Sequence, residues 1–283
     1  MNTQKETMMS LMSKLLTSSI VTTLIVSAGA FDIEKFVKKN VVKNPQVKVK
    51  NVETISTKKI PGDNNWNAYL VMVNLSFKGK AIQEPMTIFV DEKSGLATMS
   101  LMNANSGKDY KRTIKPSMPE SYYKESHLIA GEKNAKHKMV IFSDPQCPFC
   151  IQYVPGVIKD FKEKKGDVAL YYYHMPLLRL HPVSEVLTRV MEVLQKEGKT
   201  ELAMKVYGLK ISAGEKNEEK ILAALKKQLN IEVSKEAIAK KEIKEAVKKD
   251  MDSATQMMVR GTPSIYFDGE FDQSRTMYKQ FLK

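Results

Sequence analysis

Two cysteines, four histidines and one tryptophan are all that 283 residues contain of these types. A zinc site normally takes four Cys or His ligands, and there is no second Cys-x-x-Cys and no closely spaced His pair, so no metal is expected. A passive bridge between Cys147 and Cys150 would close too short a loop to constrain the unfolded chain much. Apolar runs long enough to span a membrane, about 20 residues, are missing. The excess of Lys and Arg (45) over Asp and Glu (32) gives a formal net charge of +13. The lysines are scattered and not interleaved with aromatics, which describes a solvated surface and excludes a nucleic-acid partner.

At 42% hydrophobic residues, the composition allows a sizeable core, and the length suggests two domains. Residues 1–30 read as a secretory signal peptide. Lys5 and Lys14 make a positive front, Leu15 to Val26 is apolar, and Ala28-Gly29-Ala30 has the small-x-small form of a cleavage site. Export to a periplasmic compartment, where disulfides form, suits the cysteine pair.

The rest of the chain is organised around Val140-Ile141-Phe142-Ser143-Asp144-Pro145-Gln146-Cys147-Pro148-Phe149-Cys150. An apolar strand from Met139 to Phe142 stops at Asp144-Pro145. A helical pattern follows, with Ile151, Val154, Ile158 and Phe161 sharing one face. Cys147 thus falls at a helix start, where free N–H groups and the dipole favour a thiolate. Pro148 suits the first turn because its missing N–H has no partner to lose there. Cys147 is expected to be the sulfur open to solvent, with Cys150 a turn behind it to attack a mixed disulfide. No cofactor beyond this redox-active Cys147–Cys150 pair is called for. Pro148 and Phe149 bring neither charge nor a hydrogen bond to the sulfur.

The fold expected is α+β. Residues 31–115 form a small unit of strands, with a helix over Asp32 to Val42, alternation at Val47 to Val52, and strands over Trp66 to Phe77, Ala81 to Val90 and Leu96 to Met102. It holds no catalytic constellation, so it reads as a binding or dimerisation platform. Residues 116–136, punctuated by Pro116 and Pro119, are expected to be a linker helix over Glu120 to Ala130. His127 is given no role.

Residues 137–283 read β-α-β, then an inserted helical block, then β, which is a thioredoxin-like plan. The second strand is Val168 to His174. Helices are expected over Val183 to Lys196, Lys199 to Gly208, Glu218 to Leu229 and Ser234 to Val259, and a third strand over Ser264 to Phe267. Pro155 should kink the first helix. Met99, Met102, Met191, Met204, Met257 and Met258 read as core filling. Gly261-Thr262-Pro263 precedes the third strand, where a cis-proline would turn the Thr262 backbone toward Cys147 for a substrate chain to pair with.

The redox stretch together with Gly261-Thr262-Pro263 resembles the DsbC/DsbG family of bacterial periplasmic disulfide isomerases. The preceding part, with Gly107-Lys108-Asp109-Tyr110, is similar to their N-terminal cystatin-like dimerisation domain. The resemblance implies a V-shaped homodimer, with Cys147 as nucleophile, Cys150 as resolving thiol and Thr262-Pro263 as the substrate-contacting loop. Pro148-Phe149 is closer to DsbG than to DsbC, and His174-Met175-Pro176-Leu177 with His181-Pro182 resembles DsbA-type oxidases instead. Such enzymes carry a carboxylate six residues before the nucleophile; here Ile141 stands there, and Asp144 is expected in an exposed loop.

A dithiol and a disulfide interconvert through one mixed disulfide, so the motif gives the reaction and not its direction. The leading expectation is an isomerase for misfolded exported proteins. A dimeric oxidase acting on reduced ones, or a redox-independent chaperone, is the alternative. A membrane redox partner of DsbD or DsbB type follows from the resemblance.

Overall fold

The computed structural model describes residues 31–283, so the expected signal peptide at 1–30 lies outside the described residues. No helix among the described residues is long and apolar enough to cross a membrane.

The first part is an antiparallel meander. A short helix α1 (Ile33–Phe36) widens into a π-type turn over Val37–Val41. It is followed by β1 (Val47–Lys59), β2 (Trp66–Phe77), β3 (Lys80–Asp91) and β4 (Leu96–Thr98), in the order β1-β2-β3-β4. The β2–β3 reversal needs two residues of positive φ, as a type I′ hairpin does, and Lys78 (φ 49°) and Gly79 (φ 78°) supply them. β1 runs seven residues beyond the expected Val52. Its second half, Glu53 to Lys59, is polar apart from Ile55 and hides from hydrophobic alternation, yet β1 keeps pairing with β2 along its length through two register shifts.

β4, by contrast, ends at Thr98, and only one bridge, Met102 to Asp109, prolongs the expected strand. Met99 and Met102 are accordingly exposed, whereas Met191, Met204, Met257 and Met258 are buried as expected of core methionines. A turn of helix, α2 (Tyr110–Thr113), is capped by the Asp109 side chain accepting the Lys111 N–H at 3.0 Å. Ile60, Ala68, Leu70, Phe89, Tyr110 and Ile114 form the meander's core, together with Met258 from far down the chain.

The expected linker helix does not form. Glu120–Tyr122 and Glu125–His127 are single 3₁₀ turns, and Leu128–Ala130 is a strand, β5, antiparallel to the strand Val168–His174. Tertiary contacts override local propensity here. The Tyr173 hydroxyl donates to the Tyr122 carbonyl at 2.6 Å, Tyr123 packs on Tyr171, and His127 stacks on Tyr173 at 4.1 Å. This segment therefore belongs to the redox sheet.

That sheet has the order β5-β7-β6-β8-β9, with β6 (His137–Ser143) at its centre. β6 runs parallel to β7 (Val168–His174) and antiparallel to β8 (Ser264–Phe267), which turns into β9 (Glu270–Phe271). Every residue of β7 is buried, because helices and the 118–128 segment cover opposite faces. On one side lie α3 (Pro148–Glu163), which carries Pro155 in its interior, α4 (Ser184–Lys196), α5 (Thr200–Met204) and α6 (Glu218–Leu229).

The helix expected over Ser234 to Val259 is two, α7 (Lys235–Ala239) and α8 (Lys241–Gln256), broken at an extended Lys240. Ile238 and Ile243 are both buried, and five residues of continuous helix would point them more than a third of a turn apart. The break lets both reach the core.

Candidate active site

Cys147 occupies the N-cap of α3 and Pro148 the first turn, as the spacing predicts. The Cys147 N–H donates to the Asp144 carbonyl at 3.2 Å, and the Cys147 carbonyl accepts the Ile151 N–H at 2.9 Å, closing the first turn. The expected ready access to this sulfur is corrected: Cys147 is only 4% exposed, and Phe149 stands outside it at 66%. The loop before β8 is what covers it. The Thr262–Pro263 bond is cis, and the Cys147 thiol donates to the Thr262 carbonyl at 3.3 Å. Cys147, Thr262 and Pro263 therefore meet, though the first two are 115 positions apart in the chain.

Cys150 is fully buried. Burial pushes its thiol up to about 12; the Ser143 hydroxyl, the Asp144 N–H and the Thr262 hydroxyl act against that rise. Ile141, at the position where a carboxylate was sought, is buried in the same apolar cluster as both cysteines. Beneath Cys150 lies a chain of hydroxyls instead. Ser143 Oγ is 2.6 Å from Tyr207 Oη, and Tyr207 Oη is 2.7 Å from Tyr172 Oη. Burial raises both phenols, so they stay protonated and can donate. Sequence reasoning missed all three. Tyr172 and Ser143 sit on strand positions that read as packing, and nothing local marks Tyr207.

Asp144 is not in an exposed loop. Its carboxylate is completely buried, and Oδ1 accepts the Gln146 N–H (2.8 Å) and the Ser184 hydroxyl (2.5 Å). Oδ2 accepts the Leu177 N–H and the His181 Nδ1–H, both at 2.8 Å. The residues that resemble DsbA-type oxidases, 174–182, are thus tied to the redox loop by this one side chain. His174, also buried, is held neutral by desolvation and lies 3.0 Å from Gln195 Oε1 through Nε2. His127, given no role from sequence, bonds Asp250 at 2.7 Å.

A two-cysteine helix tip set against a cis-proline loop on a thioredoxin-like sheet defines a thiol–disulfide oxidoreductase. The chain belongs to the thioredoxin family, whose model, described as "Thioredoxin", matches residues 124–283. Over 169 residues it is 30% identical to a probable disulfide bond formation protein D of Bacillus anthracis, covering 54% of this chain and 77% of that protein. Its counterpart in Bacillus cereus is 29% identical over the same length. Among solved structures, oxidised BdbD from Bacillus subtilis aligns with a TM-score of 0.47 at 19% identity, over 59% of this chain and 93% of that one. The expected membership of the DsbC/DsbG branch is thereby reduced to a coarser one, a thioredoxin-like protein of the Dsb type. The match begins at Lys124, inside the expected linker, and leaves the four-stranded meander outside it.

Proposed function

We propose that this protein is an exported, periplasmic thiol–disulfide interchange protein that forms disulfides in reduced client proteins. The observation that carries this is the meeting of the Cys147 sulfur with the Thr262 carbonyl 3.3 Å away, which sets the sulfur beside the backbone that leads into β8, where an extended client chain would pair. The direction is taken from the relatives named for disulfide bond formation.

In the oxidised form, a client thiolate attacks Cys147 Sγ. The Cys147–Cys150 bond breaks, Cys150 leaves as a thiolate, and a client–Cys147 disulfide forms. The Ser143 hydroxyl and the Asp144 N–H favour that leaving thiolate, which then takes up a proton. A second client thiolate attacks the client sulfur and expels Cys147. The client gains one disulfide, and two electrons pass to the enzyme dithiol. A DsbB-type membrane partner would reoxidise it.

A second reading, the isomerase, is favoured by the meander ahead of the redox domain. Among the described residues β1 has β2 as its single strand neighbour, and its other edge suits addition of a second copy in a homodimer of cystatin-like units. In that reading Cys147 attacks wrong disulfides in misfolded clients, and a DsbD-type partner keeps the pair reduced.

Alkylation gel shift on cells separates the two: an oxidised pair supports disulfide formation, a reduced pair isomerisation. Cys147→Ser should abolish exchange, and Cys150→Ser should accumulate mixed disulfides with clients. Retained exchange on dithiol peptides in Cys147→Ser refutes both readings.

A further inference from the structure

An open groove of about 630 Å³ continues from the redox tip, with Phe149, Thr262 and Pro263 in its wall. Its other walls are cationic. Lys111, Arg112 and Lys115 enter from the α2 segment, and Arg260 and Arg275 from the redox domain. Against these five stands one lining carboxylate, Asp109, already engaged by the Lys111 N–H and, at 3.2 Å, by Arg112. Arg260 is held at the meander's edge by Glu84 (3.3 Å) and the Pro85 carbonyl. Among the described residues, no carboxylate lies within ion-pair distance of Lys111, Lys115 or Arg275.

One of these cations has its charged group held by a hydrogen bond, and another has its backbone fixed. The Lys115 ammonium donates to the Met258 carbonyl at 3.1 Å. Burial, then the neighbouring Arg260 charge, pushes it down to about 8, and the Asp109 carboxylate offsets only part of that fall. Arg275 sits in the left-handed region (φ 61°), with its carbonyl gripped by the Tyr153 hydroxyl of α3 at 2.6 Å. A non-glycine residue is held there only when its surroundings fix it.

We propose that this groove receives an acidic stretch of the client polypeptide. With the client cysteine at Cys147, aspartate or glutamate side chains beside it lie against Lys111, Lys115 and Arg275. The inference rests on the exchange reading above and names the clients that reading favours. The meander supplies one wall of the groove, so the part outside the family match takes part in choosing substrate.

The test uses the full chain and dithiol peptides of equal length whose cysteines are flanked by Asp/Glu or by Asn/Gln. The readout is the ratio of their second-order rates. Wild type should prefer the acidic peptide roughly tenfold at low salt, equivalent to about 1.4 kcal/mol, and the preference should shrink in 0.5 M NaCl as screening shortens to a few ångströms. The double variant Lys111→Glu/Arg275→Glu should bring the ratio to one or below. Lys227→Glu, an exposed charge reversal on α6, should leave the ratio as in wild type. A wild-type ratio of one overturns the subsite, as does a ratio that survives the double variant or falls equally in Lys227→Glu. If no peptide reacts through Cys147, the exchange reading has failed instead. The groove is then judged by fluorescence anisotropy of a cysteine-free Asp/Glu peptide, and absence of Lys111- and Arg275-dependent binding overturns it.

Discussion

Replacing Asp144 by alanine tests whether this carboxylate, and not the Asp-Pro turn alone, shapes the redox loop. Four donors converge on it, two of them deeply buried: the Gln146 N–H and the Ser184 hydroxyl. The Leu177 N–H and His181 ring lie nearer the surface and can turn to water, so they count for less. A buried donor left without an acceptor costs about 1–3 kcal/mol, so the two buried ones together give a loss of about 3–4 kcal/mol on the same scale. For a chain of this size each kcal/mol moves the melting temperature by about 2–4 °C. Asp144→Ala should therefore melt roughly 6–16 °C below wild type by that conversion. Asp144→Asn keeps one acceptor oxygen and should fall between the two. Differential scanning calorimetry of the three proteins in the reduced state reads this directly. A surface aspartate would change stability by no more than about 0.5 kcal/mol. An alanine variant melting within about 2 °C of wild type would thus refute the buried-hub account.

Two further perturbations follow from other parts of the molecule. Glu192, packed beside His174 and Asp250, is pushed up to about 7 from an ordinary 4.5, by burial first and by the Asp250 charge second. Its folded form favours the proton, so it adds stability below about pH 4.5 that is lost as pH rises through 7. Glu192→Gln should flatten that slope in urea titrations and be more stable than wild type at pH 8 by roughly 3 kcal/mol; an unchanged slope refutes the assignment. Tyr207→Phe removes the hydroxyl joining Ser143 to Tyr172 beneath Cys150. Rapid-quench measurement should show the first attack on Cys147, the step in which Cys150 leaves, slowed several-fold, with expulsion of Cys147 by the second client thiolate unaltered; an equal rate for the first attack would exclude a part for the hydroxyl chain.

The redox half was legible because its signals are local. An apolar run, a turn, a helix-capping cysteine and a Pro at the first helical position place Cys147 without tertiary information. Thr262-Pro263 was found by its position before a strand, and β8 starts at the next residue. What stayed hidden depends on partners distant in sequence. Asp144 looks like loop polarity until Leu177, His181 and Ser184 arrive from more than 30 residues on. Glu120 to Ala130 looks helical until Tyr171 and Tyr173 offer aromatic surface and β7 offers a free edge. The Lys240 break is invisible to periodicity because both flanking halves keep good helical composition.

The consecutive methionines 257 and 258 have a bearing on modularity. Met257 packs in the redox core, while Met258, turned by its positive φ of 54°, packs in the core of the meander. Three residues later the chain enters the loop that covers Cys147. Cutting the protein near residue 116 to isolate its catalytic half would strip Met258 bare and release Arg260 from Glu84, loosening the strap that leads into that loop. The front sheet and the sulfur chemistry are thus a poor pair to separate, and a shortened protein would report on a different enzyme.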